Sequence, residues 1–162
     1  MCGIVGIIGN RDAAPLLLSG LSKLEYRGYD SAGIAVVTPN GPQMRRAVGK
    51  LRNLKKSLEN APLEGVVGIG HTRWATHGAP SETNSHPHPD ASQTVWVVHN
   101  GIIENYAQLK AELEASGVEF RSSTDTEVVP NLIHRAYEKN GGDLILAIRT
   151  ALQNVRGAYS LA

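Results

Sequence analysis

The chain lacks most of what would assign it to a special class. It has a single cysteine, Cys2, in 162 residues, so no internal disulfide can form, and the count fits a reducing compartment. Sixteen basic residues stand against fifteen acidic ones, a formal charge of +1. That balance offers no basic face to nucleic acid and no acidic tail. The apolar start has no basic n-region and meets Asn10-Arg11-Asp12 at once, so it does not read as a signal peptide. It is also too short to span a membrane. Cys2, not glycine, follows Met1, which excludes N-myristoylation. Internal repeats and low-complexity linkers are absent as well. What remains is a globular chain with 41% hydrophobic and 19% charged residues, long enough for one sizeable core. Its default location is cytoplasmic.

Cys2 opens a β-branched run, Ile4, Val5, Ile7 and Ile8, spaced by Gly3, Gly6 and Gly9. The run predicts a buried strand with a thiol at its tip. Removal of Met1 would give Cys2 a free α-amine, with a base of pKa about 7.7–8.0 beside a thiol near 8.5. The plainer alternative is an apolar cysteine on an edge strand, since free cysteine is among the most buried residue types.

Helical spacing of Leu17, Leu21 and Leu24 predicts a helix capped by Asn10 or Asp12, with Pro15 in its first turn. Ser31–Thr38 and Gln43–Val48 read as a hairpin around Pro39-Asn40-Gly41. A helix is predicted over Leu51–Asn60 and a strand over Val66–Trp74. From Ala75 to Gln93 periodicity stops amid Pro, His, Ser and Thr, and a long irregular stretch in a compact domain is commonly functional. Thr94–Val98 restores a strand that ends at His99-Asn100-Gly101. Asn105 with Gln108, and Thr124 with Glu127, have capping-box spacing ahead of helices. Val118–Arg121 reads as a short strand, and Pro130 as a bend in its helix. Asp143–Val155 reads as a last helix and Gly157–Ala162 as the start of a strand, so a domain cut inside its sheet is expected.

Polar residues gather at strand ends and helix starts, where a rigid scaffold can present reacting groups. Arg73 can hold a carboxylate in bidentate fashion. The Asn100 amide beside the Gly101 N–H can form a two-donor oxyanion hole. Asp125, at a helix start, can hold an ammonium group. Together with an N-terminal thiol, these suit an amino acid bearing a side-chain amide or ester. Each residue also has an ordinary reading: a solvated arginine, an Asn-Gly turn, an N-terminal aspartate. His77, His86 and His88 invite a zinc reading, but tetrahedral ligand spacing is missing and the sole Cys is elsewhere. No metal and no cofactor is expected.

Cys2-Gly3-Ile4-Val5-Gly6, the run from Arg27 to Gly33, the run from His71 to Gly78, Asn84–His88, Val97–Asn105 and Thr124–Val128 occur in one order. In this the chain resembles the glutaminase domains of the glutamine–fructose-6-phosphate aminotransferase (isomerizing) family, over nearly its whole length. Tyr29 and Trp74 favour that family over the amidophosphoribosyltransferases. The resemblance implies an α+β fold, the αββα sandwich of N-terminal-nucleophile hydrolases. It implies that Cys2 attacks L-glutamine, with its own amine as base, and that Asn100 and Gly101 hold the oxyanion. Arg73, Thr76 and His77 would hold the glutamine carboxylate, and Asp125 and Gly101 its amine. Arg27 would support Cys2, and Trp74 would stand where ammonia leaves. The resemblance further implies a homodimeric full enzyme, with fructose 6-phosphate bound by isomerase domains absent from this chain. The alternatives are the glutaminase half of another amidotransferase, amidophosphoribosyl or asparagine-forming, and an inactive glutamine-binding fragment.

Overall fold

The computed structural model describes residues 2–27, 30–74 and 78–162, with Arg27 by its backbone alone. A four-stranded antiparallel sheet is built from β1 (Gly3–Ile8), β2 (Ser31–Thr38), β3 (Gly41–Val48) and β4 (Val67–Arg73), in the order β1-β4-β2-β3. Helices α1 (Ala13–Leu24) and α2 (Leu51–Asn60) pack on one face. The strand period of two decides what that face receives. Ala32, Ile34 and Val36 of β2 enter a core with Leu17, Leu21 and Leu54. Leu17 and Leu21 are fully buried, each worth about 1.5–3 kcal/mol relative to exposure. The alternate residues, Ser31, Gly33 and Ala35, are buried too, because β2 is covered on both sides.

The covering layer comes from the second half of the chain. Two short pairs, β5 (His88–Pro89) with β6 (Trp96–Val97) and β7 (His99–Gly101) with β8 (Tyr159–Leu161), are both antiparallel. Helices α3 (Tyr106–Ala115), α4 (Val128–Lys139) and α5 (Leu144–Leu152) build a second core around Val97, Ile103, Leu113, Val129, Leu132 and Ala147. At Gly33 the two halves approach closely. A Cβ there would lie 2.2 Å from the backbone oxygen of His86, so only glycine lets the loop cross the sheet at this depth.

Several expectations need correction. β1 is a half-buried edge strand, not a buried one, and Ile8 is 88% exposed. Residues 118–121 form no strand. Asp12 precedes α1 without a side-chain cap. Asn105 does not cap α3 with its side chain. Its amide instead donates to the Asn154 carbonyl at 2.8 Å and accepts from the Arg156 N–H at 2.9 Å. The second capping box also points elsewhere. Glu127 reaches back to accept the N–H groups of Arg121 at 2.9 Å and Ser122 at 2.6 Å. α4 therefore begins at Val128, which puts Pro130 in its first turn. No intrahelical partner awaits an N–H at that place, so the helix need not bend there.

Candidate functional site

β4 carries the first part of the site. Ile4 of β1 and Gly33 of β2 both sit opposite His71, so the period of two places His71 and Arg73 on the face away from α1. Cys2, two residues before Ile4, shares that face. Its sulfur accepts the backbone N–H of Trp74 at 3.1 Å and lies 3.6 Å from the Trp74 carbonyl oxygen. Arg73 is buried and donates to the Gly78 carbonyl at 3.0 Å, with the Asp30 carboxylate 4.0 Å away. The Asp30 N–H in turn bonds the Arg73 carbonyl at 2.8 Å. Asp30 thus locates the guanidinium through both backbone and charge.

The second part comes from β7 and the turn before α4. Gly101 has φ +130°, and a Cβ on it would lie 2.2 Å from the Ala158 carbonyl oxygen. Both the left-handed backbone and the close approach require glycine. Asp125 is buried, and its Oδ2 accepts the Ile103 N–H at 2.8 Å. That bond fixes the carboxylate on the segment following β7. α4 starts three residues further on, so the tertiary bond, and not the helix end alone, holds Asp125.

Cys2, Arg73, Trp74, Gly101 and Asp125 line one cleft of about 250 Å³. The sequence predicted all five, and the fold brings them together. Asn100 stands next to Gly101 but does not line the cleft. Its Oδ1 lies 2.8 Å from His71 Nε2. Trp74 is half exposed at the cleft margin. The roles expected of Thr76, His77 and the Arg27 side chain fall outside the described residues.

The wall that sequence reasoning missed is histidine and threonine. His71, His86 and His99, with Thr124 and Thr126, line the same cleft. The rings of His71 and His86 stack at 4.1 Å and 15°. His86 Nδ1 accepts the His99 N–H at 3.1 Å, while Thr126 Oγ1 sits 2.8 Å from His99 Nδ1 and 3.4 Å from His86 Nε2. Burial pushes His71 down to about 4 and His88 to about 3. Burial also holds His86 well below the ordinary imidazole value, and the neighbouring imidazoles add to the effect. His99 is lowered by burial and partly restored by Asp125. These rings are neutral near pH 7. Stacked rings do not converge their lone pairs on one point, and among the described residues no group of His, Cys, Asp or Glu could hold a metal ion. The only signal in the sequence was the placing of His71 and His99 near strand ends.

Comparison with known proteins sets this geometry in a family. A profile described as a glutamine amidotransferase domain matches residues 38–160. Glutamine–fructose-6-phosphate aminotransferase [isomerizing] from Symbiobacterium thermophilum is 57% identical over 162 residues, covering 100% of this chain and 26% of that protein. The protein of that name from Thermus thermophilus is 55% identical over 161 residues, 99% of this chain and again 26% of the relative. The chain thus spans about a quarter of the length of these curated relatives. Among solved structures, glutamine phosphoribosylpyrophosphate amidotransferase from B. subtilis superposes with a TM-score of 0.84 at 30% identity, over 99% of this chain and 34% of that one. An allosteric regulatory enzyme of purine biosynthesis gives 0.85 at 31%, with the same coverage of each chain. The fold is therefore the α+β N-terminal-nucleophile hydrolase type of the amidotransferases.

Proposed function

The chain belongs to the glutamine amidotransferase domain family, and on that premise we propose that it hydrolyses L-glutamine to glutamate and ammonia through a thioester on Cys2. One observation carries the reading: the sulfur of Cys2 shares a single cleft with Arg73, Gly101 and Asp125. A guanidinium for the α-carboxylate and a carboxylate for the α-ammonium match one end of glutamine, and the thiol in the same cleft meets the amide at the other.

In this mechanism the α-amine of Cys2, exposed by loss of Met1, takes the thiol proton. The sulfur attacks the side-chain amide carbon. The oxyanion meets the Gly101 N–H and the Asn100 amide. Collapse breaks the C–N bond, and the amine returns its proton to the departing ammonia. Water then attacks the thioester, releasing glutamate and regenerating the thiol. Arg73, with Thr76 and His77, binds the glutamine carboxylate. Asp125 has one oxygen on Ile103 and offers the other to the glutamine amine, beside the Gly101 carbonyl. Arg27 steadies the Cys2 end and Trp74 borders the way out.

The identities of 53–57% support the fructose-6-phosphate branch over the phosphoribosylpyrophosphate branch, for which the structural likeness carries 30% identity. In a longer chain of the relatives' kind, the ammonia aminates fructose 6-phosphate on domains outside this portion, in a cytoplasmic homodimer. Among the described residues no helix is long and apolar enough to cross a membrane. The test is stoichiometric release of glutamate and ammonia from glutamine by the purified protein, absent in Cys2→Ala. A folded Cys2→Ala variant that turns over like the parent would overturn the reading.

A further inference from the structure

Asn100 has a side-chain amide that can sit either way round. With Oδ1 toward β4 its two N–H groups are left over as donors. Flipped, it leaves over an acceptor, which would repel a developing oxyanion. What selects between them is the group Asn100 faces, and that is His71 Nε2, 2.8 Å from Oδ1. A ring protonated at Nε2 donates and holds Oδ1; a ring protonated at Nδ1 would accept from Nδ2 and hold the amide the wrong way.

We propose that His71 is a positioning residue, whose Nε2–H fixes the Asn100 amide with its Nδ2 group left free as the oxyanion donor. The proposal rests on the oxyanion role given to Asn100 above, which needs its Nδ2 group to turn into the cleft that its neighbours Gly101 and His71 line. Three further observations support it. The ring cannot swing away, because His71 is buried and stacks on His86 at 4.1 Å. His86 is itself tied to β7 by accepting the His99 N–H at 3.1 Å, so the stack is anchored to the strand that carries Asn100. Charged or titratable neighbours, Arg73, His86, His88 and His99, offer His71 no carboxylate that would keep it doubly protonated. A neutral ring has one proton to place; the His99 backbone is the other acceptor near the ring, but among the described residues Nδ1 has no partner within hydrogen-bond distance while Nε2 has the Asn100 oxygen at 2.8 Å.

The same side of β4 therefore serves two purposes. Arg73 faces the substrate, while His71, two residues earlier, acts only through Asn100. His71 itself touches no reacting atom in this account.

Two measurements test it, and they fail separately from the glutaminase reading. The first needs no turnover: imidazole ¹⁵N shifts of the protein labelled at histidine. His71 is expected as the neutral Nε2–H tautomer at pH 7. An Nδ1–H tautomer or a charged ring overturns the proposal, whether or not glutamine is hydrolysed. The second is a cycle of His71→Leu, His71→Gln and Asn100→Ala. His71→Leu should lower kcat roughly 10–100-fold with KM for glutamine within about twofold, and His71→Gln, which keeps a donor, should regain most of it. In the Asn100→Ala background His71→Leu should cost less than about threefold more. Undiminished kcat in a folded His71→Leu, or a full loss that persists without Asn100, overturns it. Should His71→Leu not fold, the tautomer and the His71→Gln kinetics decide.

Discussion

The backbone N–H of Trp74 points at the sulfur of Cys2 from 3.1 Å. The contact joins the tip of β1 to the residue after β4, so the proposed nucleophile is located one peptide from the arginine assigned to the substrate carboxylate. It uses the backbone, and the indole plays no part in it. Trp74→Phe should then leave glutamine hydrolysis within about threefold. Trp74→Pro removes the N–H and should lower kcat by about tenfold, the scale of one modest hydrogen bond. Equal rates in the two variants would show that the contact does not position the sulfur.

Arg73 supplies the next expectation. A planar fork binding a carboxylate is not replaced by an ammonium. Arg73→Lys should raise KM for glutamine by about 10–100-fold, the worth of a hydrogen bond to a charged group, with the smaller change in kcat. Steady-state kinetics over a wide glutamine range separates the two. A kcat loss at unchanged KM would remove Arg73 from carboxylate binding.

Gly101 should resist substitution for reasons of space and backbone together. Gly101→Ala must hold φ near +130° and push the Ala158 carbonyl from 2.2 Å. Strain of this kind costs on the order of 1–3 kcal/mol, and β7 should part from β8. Thermal melts should fall by several degrees, and glutaminase activity with them. An unchanged melting temperature would mean that the β7–β8 pair accommodates the methyl group freely.

These relations mark how far the sequence could be read. β2 and α2 begin and end where periodicity and turn residues placed them, at Ser31–Thr38 and Leu51–Asn60, because each is set by local pattern: a β-branched run between turn residues for β2, one apolar face for α2. Cys2, Arg73, Gly101 and Asp125 were visible because their types and strand-end places already suggested a chemistry. Asn105 and Glu127 show the opposite case. Local spacing implied caps, but their side chains serve segments to which the fold brings them: Asn154 and Arg156 for one, Arg121 and Ser122 for the other. The histidine wall was hidden for the same reason. His71 and His86 lie on separate segments, and nothing in their spacing says that they stack. His86 and His88, close in sequence, do meet edge to face at 4.8 Å, but the stack on His71 and the contacts with His99 and Thr126 come from segments the fold brings together.

That wall gives a pH dependence. His71, His86 and His88 are held below the ordinary value in the fold, His71 to about 4 and His88 to about 3. The unfolded chain protonates its histidines near pH 6.5. Between those limits the unfolded state binds more protons, so the contribution is whole above about pH 6.5 and is lost as pH falls. His71 and His88 should each remove roughly 2–3 kcal/mol by about pH 4.5, and His86 acts in the same direction. Urea midpoints should therefore drop steeply from pH 7 to pH 5, with uptake of more than one proton on unfolding. A flat midpoint over that range would mean that the rings are not buried neutral.

The central claim is a glutamyl thioester on Cys2, and its most direct test is to catch it. The purified protein is mixed with glutamine, quenched in acid within a turnover and digested, and the N-terminal peptide is weighed. The account predicts loss of Met1 and a glutamyl group on Cys2, absent without glutamine and absent in Cys2→Ala. Steady release of glutamate from a protein that retains Met1, or a glutamyl group found on any residue other than Cys2, would contradict it.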